Sequence, residues 1–299
     1  MRTLEPLTQM NLGAIITAMV TPFDAAGRVD EEAAARLLDH LFAHGSDGVV
    51  VCGTTGEAAT LDDDEHLGFI ETVLAAVRAS HPGKTVIAGV GSNDTRHAVR
   101  LTEAASAMRP DALLAVNPYY NRPSRRGVVE HFKAVDAATD LPIVLYNIPQ
   151  RTGSDMPNDL LAELAQECEH VRAVKQANAA NVALVDGLEL YAGNDDLLAA
   201  VLDLGGAGGI LTGSHVFGRQ MRRMVDEPRL RATIDAELAE VYRDMAIAPA
   251  ACSCKAALNL IGVPVGGPRL PYVPLDDQET AVIRQLLERH GMMRETADA

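Results

Sequence analysis

Lysine is scarce in this chain of 299 residues, standing only at Lys84, Lys133, Lys175 and Lys255. Lys175 closes the apolar run VRAVK at 171–175. A lysine so placed starts its stem among apolar neighbours and brings its amine to the edge of that layer. Desolvation lowers the pKa of such an amine, and a neutral amine can attack a carbonyl to form a Schiff base. The other reading is a lysine that snorkels from a strand end or pairs with Glu57. Lys84 precedes an apolar run, Lys133 falls in a helical pattern, and Lys255 lies toward the C-terminus. Lys175 therefore stands out by position rather than by scarcity.

Three further runs end in polar residues. GVVVC at 48–52 is followed by Gly53-Thr54-Thr55-Gly56-Glu57. Its glycines let the backbone approach a ligand, and its hydroxyls and amides supply hydrogen bonds. The same residues can also form an ordinary turn and helix cap. Two other runs close on Asn117-Pro118-Tyr119-Tyr120 and on Tyr146-Asn147. A tyrosine there can relay a proton or hold an intermediate, or simply pack. Arg151, five residues beyond Tyr146, has the planar fork that clamps a carboxylate, although a plain surface arginine fits local sequence equally well.

The elements that must position these groups alternate along the chain. Apolar runs occur at 14–20, 48–52, 86–90, 112–117, 142–147, 171–175, 188–192 and 207–211. Helical patterns separate them at 31–44, 62–79, 95–108, 124–138, 157–167 and 195–204. Continuous apolar strands between helices indicate a parallel sheet covered on both faces. Eight such units match an α/β fold of the (β/α)8 TIM-barrel class, whose chemistry sits at the C-terminal ends of the strands. An open doubly wound sheet would call for a phosphate loop after the first strand, and TPFDAAGRVD contains none. The cluster GGAGGILTG at 205–213 is weak evidence for a phosphate site and can serve tight packing instead. Helical patterns at 214–226, 229–246, 251–260 and 277–290 follow the last run. The expected organisation is a catalytic barrel over 13–228 and a C-terminal helical extension over 229–299.

Charge narrows the function classes. With 26 basic and 41 acidic residues the formal net charge is −15, which argues against nucleic acid while leaving room for an anionic small substrate. GAIITAMV is too short to span a bilayer, and no secretory signal is evident, so no membrane association and a cytoplasmic location are expected. Cys52, Cys168, Cys252 and Cys254 fit neither a disulfide framework nor a zinc site.

The motifs GTTGEAATLDDDEH at 53–66, NPYYNRPSRRGVVEHF at 117–132, LPIVLYNIPQRTG at 141–153, VRAVKQA at 171–177 and GNDD at 193–196 occur together. With GGAGGI at 205–210 and VPVGGPRLPYVPL at 263–275, they resemble the dihydrodipicolinate synthase family of the N-acetylneuraminate lyase superfamily from about residue 13 to 290. That resemblance implies condensation of pyruvate with L-aspartate 4-semialdehyde through a lysine Schiff base, on the route to diaminopimelate and lysine. By motif, Lys175 would form the imine. Tyr146 would shuttle protons with Thr54 and with Tyr120 supplied across a subunit interface. Thr55 would hold the pyruvate carboxylate, Arg151 the semialdehyde carboxylate, and the backbone at Gly193 and Ile210 would line the pocket. The resemblance implies no organic cofactor or metal, and a homotetramer built as a dimer of dimers. The alternative within the superfamily is a pyruvate-dependent aldolase or dehydratase acting on a sugar-derived 2-oxo acid.

Several positions depart from the family pattern. KQAN occupies 175–178 where glutamate or aspartate commonly follows the lysine, and Asn194 replaces a common aspartate. The stretch from Lys175 to Gly193 is short, so its helix is expected to be abbreviated. AACSCK at 250–255 replaces an NPxPVK-like segment. At the family's regulatory interface His66, Asn93 and Tyr119 match lysine-sensitive members, whereas Ala58, Asp63 and His97 differ. Weak or absent inhibition by lysine is the expectation.

Overall fold

The computed structural model describes residues 10–293. Eight strands lie at β1 (Ile15–Ala18), β2 (Gly48–Val51), β3 (Thr85–Gly89), β4 (Ala112–Val116), β5 (Ile143–Asn147), β6 (Val171–Gln176), β7 (Glu189–Ala192) and β8 (Gly208–Leu211). Each pairs in parallel with the next, and β8 returns to β1 to close the barrel. Every apolar run thus coincides with a strand to within a residue or two, because a barrel strand is buried against the interior on one side and against helices on the other.

The pleat sorts alternate residues into two layers. Ile16, Val50, Leu114, Val144, Tyr146, Ala173, Tyr191 and Ile210 belong to the cluster inside the barrel. Ile15, Val49, Leu113, Leu145, Val174 and Leu211 belong to the cluster under the helices. Tyr146 therefore continues the inward row begun by Val144, and Lys175 follows Ala173 two residues on. The β5–β6 register sets Tyr146 directly opposite Lys175. A one-residue slip of either strand would turn its own side chain out of the barrel and part the pair.

The surrounding helices are α1 (Glu31–Ala43), α2 (Asp63–Ser80), α3 (Thr95–Ala107), α4 (Arg125–Asp136), the single turn α5 (Pro149–Thr152), α6 (Asn158–Glu167), α7 (Leu198–Asp203) and α8 (Ser214–Asp226). Side chains of Asp30, Asp62, Asp94 and Ser124 cap α1 to α4 by accepting from first-turn amides. The expected short helix between β6 and β7 is reduced further, to one 3-10 turn at Ala179–Asn181 followed by a bridge between Val185 and Leu188. Beyond α8 come α9 (Arg231–Met245), α10 (Ala250–Leu260) and α11 (Asp277–Arg289). Leu238, Val241, Leu258, Ile283 and Leu286 bury these helices in the apolar shell around the barrel. The last part of the expected extension, 294–299, lies outside the described residues. Among the described residues no helix is long and apolar enough to cross a membrane, and the four cysteines are free and buried.

Candidate active site

A cavity of about 410 Å³ opens at the C-terminal ends of the strands and is lined by Thr54, Thr55, Tyr146, Arg151, Lys175 and Gly193. Six of the eight residues expected at the site thus meet in one place. Ile210 does not line it. Its side chain packs within the barrel-interior cluster, and Thr212 supplies the wall past the end of β8. Tyr120 stands outside, 90% exposed, on a loop where its own backbone and that of Arg122 are left-handed.

Lys175 is buried, with its Nζ 4.3 Å from the centroid of the Tyr146 ring. Burial draws its pKa down to about 8; the charge of Asp195 opposes the shift and that of Arg151 reinforces it. Burial also pushes the Tyr146 phenol up to about 12, with Arg151 pulling the other way. At neutral pH the pair is therefore an amine with an accessible neutral form beside a protonated phenol.

The Thr54–Thr55 turn is built by its flanks. Glu57 N–H donates to Thr54 O at 3.1 Å, Ala58 N–H to Gly53 O at 3.3 Å, and Thr21 Oγ1 to Gly56 O at 2.6 Å. A side chain at Gly56 would meet Met19 O at 3.1 Å, so glycine lets the turn lie against the end of β1. Arg151 is carried by α5, which Pro149 opens and Gly153 closes in a left-handed C-cap.

Behind Lys175 and Tyr146, the outward faces of the same strands carry an amide pair. Asn147 Nδ2 donates to Gln176 Oε1 at 3.0 Å and to Asp155 Oδ1 at 2.8 Å. Gln176, one of the departures from the family pattern, thus helps hold the register that aligns lysine with tyrosine. Gly193 N–H donates to Gln176 O at 2.7 Å, and a Cβ there would lie 2.8 Å from Ala177. Asn194, another departure, donates to Ala177 O at 3.1 Å. Two further departures, Asp63 and His97, find each other, His97 Nε2 lying 2.9 Å from Asp63 Oδ1.

Other parts of the site escaped sequence reasoning. Asp195 accepts from Thr212 N–H, Thr212 Oγ1 and Gly213 N–H, each at 2.9 Å, and ties the loop after β7 to the end of β8. Burial raises its pKa against those hydrogen bonds. The GNDD motif was the available signal for it. Tyr242, Met245, Ala246, Ala248, Pro249 and Ala250 form a wall contributed by the end of α9, the start of α10 and the link between them, and no local pattern announces such a distant contact. The pairing of Lys175 with Glu57 is corrected: Glu57 lies 2.6 Å from Lys255 instead, with both side chains buried.

Known proteins are similar to this chain over nearly its whole length. A family model described as the dihydrodipicolinate synthetase family matches residues 11–290. A 4-hydroxy-tetrahydrodipicolinate synthase from Synechococcus sp. (strain JA-2-3B'a(2-13)) is 41% identical, covering 96% of either chain. A crystal structure of the synthase from Cyanidioschyzon merolae with lysine bound superposes with a TM-score of 0.90 at 35% identity, covering 94% of this chain and 99% of that one. The chloride-inhibited enzyme from Acinetobacter baumannii, complexed with pyruvate, superposes with a TM-score of 0.89 at 31% identity, covering 95% and 100%. By its barrel, its mouth residues and these matches, the chain belongs to the dihydrodipicolinate synthetase family.

Proposed function

We propose that the chain is a lyase that condenses pyruvate with L-aspartate 4-semialdehyde to give 4-hydroxy-tetrahydrodipicolinate. The observation that carries this reading is the buried Lys175 amine beside Tyr146, in one cavity with Thr54, Thr55 and Arg151. The neutral amine attacks the pyruvate ketone and water leaves, forming a protonated imine. That cation is an electron sink, so loss of a methyl proton gives an enamine nucleophile. Tyr146, protonated at rest, passes the protons in both steps, with Thr54 and a partner subunit's tyrosine equivalent to Tyr120 completing the relay. The enamine carbon attacks the aldehyde. The substrate's own amine then adds to the imine carbon and displaces Lys175, closing the heterocycle. No organic cofactor or metal enters this sequence.

Thr55 receives the pyruvate carboxylate, and Arg151 receives that of the semialdehyde through its fork. The assembly proposed is a homotetramer, a dimer of dimers, with the exposed Tyr120 projecting into a neighbouring site. The barrel over 13–228 carries the chemistry, the segment 229–299 forms the extension, and the enzyme is cytoplasmic with weak or absent lysine feedback. A coupled assay with pyruvate and L-aspartate 4-semialdehyde tests the reading on wild type, Lys175→Ala and Arg151→Ala. Turnover of the authentic pair by wild type, lost in Lys175→Ala, is expected. Turnover of a sugar-derived 2-oxo acid with none of the semialdehyde would replace it with the aldolase alternative.

A further inference from the structure

Two buried charges outside the cavity meet between the barrel mouth and the C-terminal extension. Glu57 follows Thr55 by two residues and adopts a left-handed backbone, with φ 55° and ψ 34°. Its carboxylate contacts Lys255 of α10 at 2.6 Å through Oε1 and accepts from Arg269 N–H at 2.8 Å through Oε2. Lys255 also donates to Gly267 O at 3.0 Å and sits 4.1 Å from the centroid of the Phe23 ring. Arg269 stacks on that same ring at 4.3 Å and donates to Gly27 O and Thr60 O, each at 2.8 Å, besides pairing with Glu65. The extension therefore grips the turn from Glu57 to Glu65 at both ends.

Neither Glu57 nor Lys255 lines the cavity. Packing alone does not account for them, because apolar residues of similar volume fill a dry contact at less desolvation cost. What an ion pair adds is direction: it admits one placement of the Glu57 side chain and hence of the backbone leading back to Thr55. We propose that the Glu57–Lys255 pair is a positioning device, through which α10 holds the Thr54–Thr55 turn at the geometry that receives the pyruvate carboxylate. This rests on the role given to Thr55 above.

The test is the near-isosteric neutral pair Glu57→Gln/Lys255→Met, which avoids stranding one charge. Kinetics for both substrates are measured in wild-type and Thr55→Val backgrounds, with circular dichroism as the check on folding. The double variant is expected to raise KM for pyruvate about tenfold while KM for the semialdehyde moves less than about twofold. In the Thr55→Val background the same exchange adds less than about twofold, because the pair acts through the residue already removed. Glu57→Asp keeps both charges and draws the carboxylate back by one methylene. It serves if the double variant does not fold, with a rise of about threefold in pyruvate KM expected and the same loss of effect in Thr55→Val. Wild-type pyruvate KM in a folded variant, or full additivity with Thr55→Val, overturns the proposal. An unchanged pyruvate KM in Thr55→Val alone also overturns it, and then the failure lies in the reading of Thr55 itself.

Discussion

At the residue scale the proposed chemistry turns on how much neutral amine Lys175 presents. Its pKa is drawn to about 8 by burial, so at pH 7 about one molecule in ten carries the nucleophilic form. If the neutral amine is the nucleophile proposed above, kcat/KM for pyruvate rises about tenfold per pH unit up to about 8 and then levels off. A profile still climbing at pH 10 would mean that the amine is not desolvated. Arg151→Ala is expected to raise KM for the semialdehyde about 100-fold, the loss of a charge-assisted pair, with KM for pyruvate within about twofold. The same substitution removes a positive neighbour of Lys175, so the break in the pH profile should move upward. An unchanged break would show that the arginine stands too far off to be felt.

At the element scale, closure of the barrel mouth depends on loops that bond to neighbouring strands. Asp195 is the clearest case, satisfying two backbone amides and one hydroxyl past β8. Asp195→Ala leaves those donors unpaired in a buried place, and a loss of about 2–4 kcal/mol is expected in urea unfolding. A loss below about 0.5 kcal/mol would contradict this role. How well such elements were legible follows from their physics. The eight strands could be read because burial on both faces keeps most of each strand apolar, with polar residues confined largely to the ends. Lys175 and Tyr146 stand out as polar residues at the ends of such runs, whereas Arg151, five residues farther on, is singled out only by the resemblance of its motif. The turn α5 is too short to show a period, and the β6–β7 crossover keeps only a 3-10 turn. The wall from α9 and α10 and the Lys255 partner of Glu57 are contacts between residues far apart in the chain, which leave no mark on local pattern. Lys255 was visible as a scarce lysine in the extension, but nothing in its neighbourhood said where its amine would go.

At the scale of the whole molecule, stability carries its own pH dependence through buried neutral histidines. His215 donates from Nδ1 to Thr212 O at 2.7 Å and accepts at Nε2 from Val20 N–H at 3.1 Å, which fixes the neutral tautomer. Burial lowers its pKa to about 4, and His131 is lowered to about 4 for the same reason. Between pH 6.5 and 4 the unfolded chain takes up these protons and the folded chain does not, so stability falls as pH falls through that window. His215 alone accounts for about 3 kcal/mol by pH 4. Urea midpoints are expected to drop from pH 7 to pH 5, and a flat or rising trend would contradict the assignment. The central claim, that the folded enzyme holds pyruvate as an imine on one lysine, is tested most directly by borohydride reduction of intact protein with pyruvate, followed by peptide mass mapping. A single pyruvate-derived adduct on Lys175, absent from Lys175→Ala, is the expected result. An adduct on another lysine, or none from a folded protein that turns over the substrates, would contradict it.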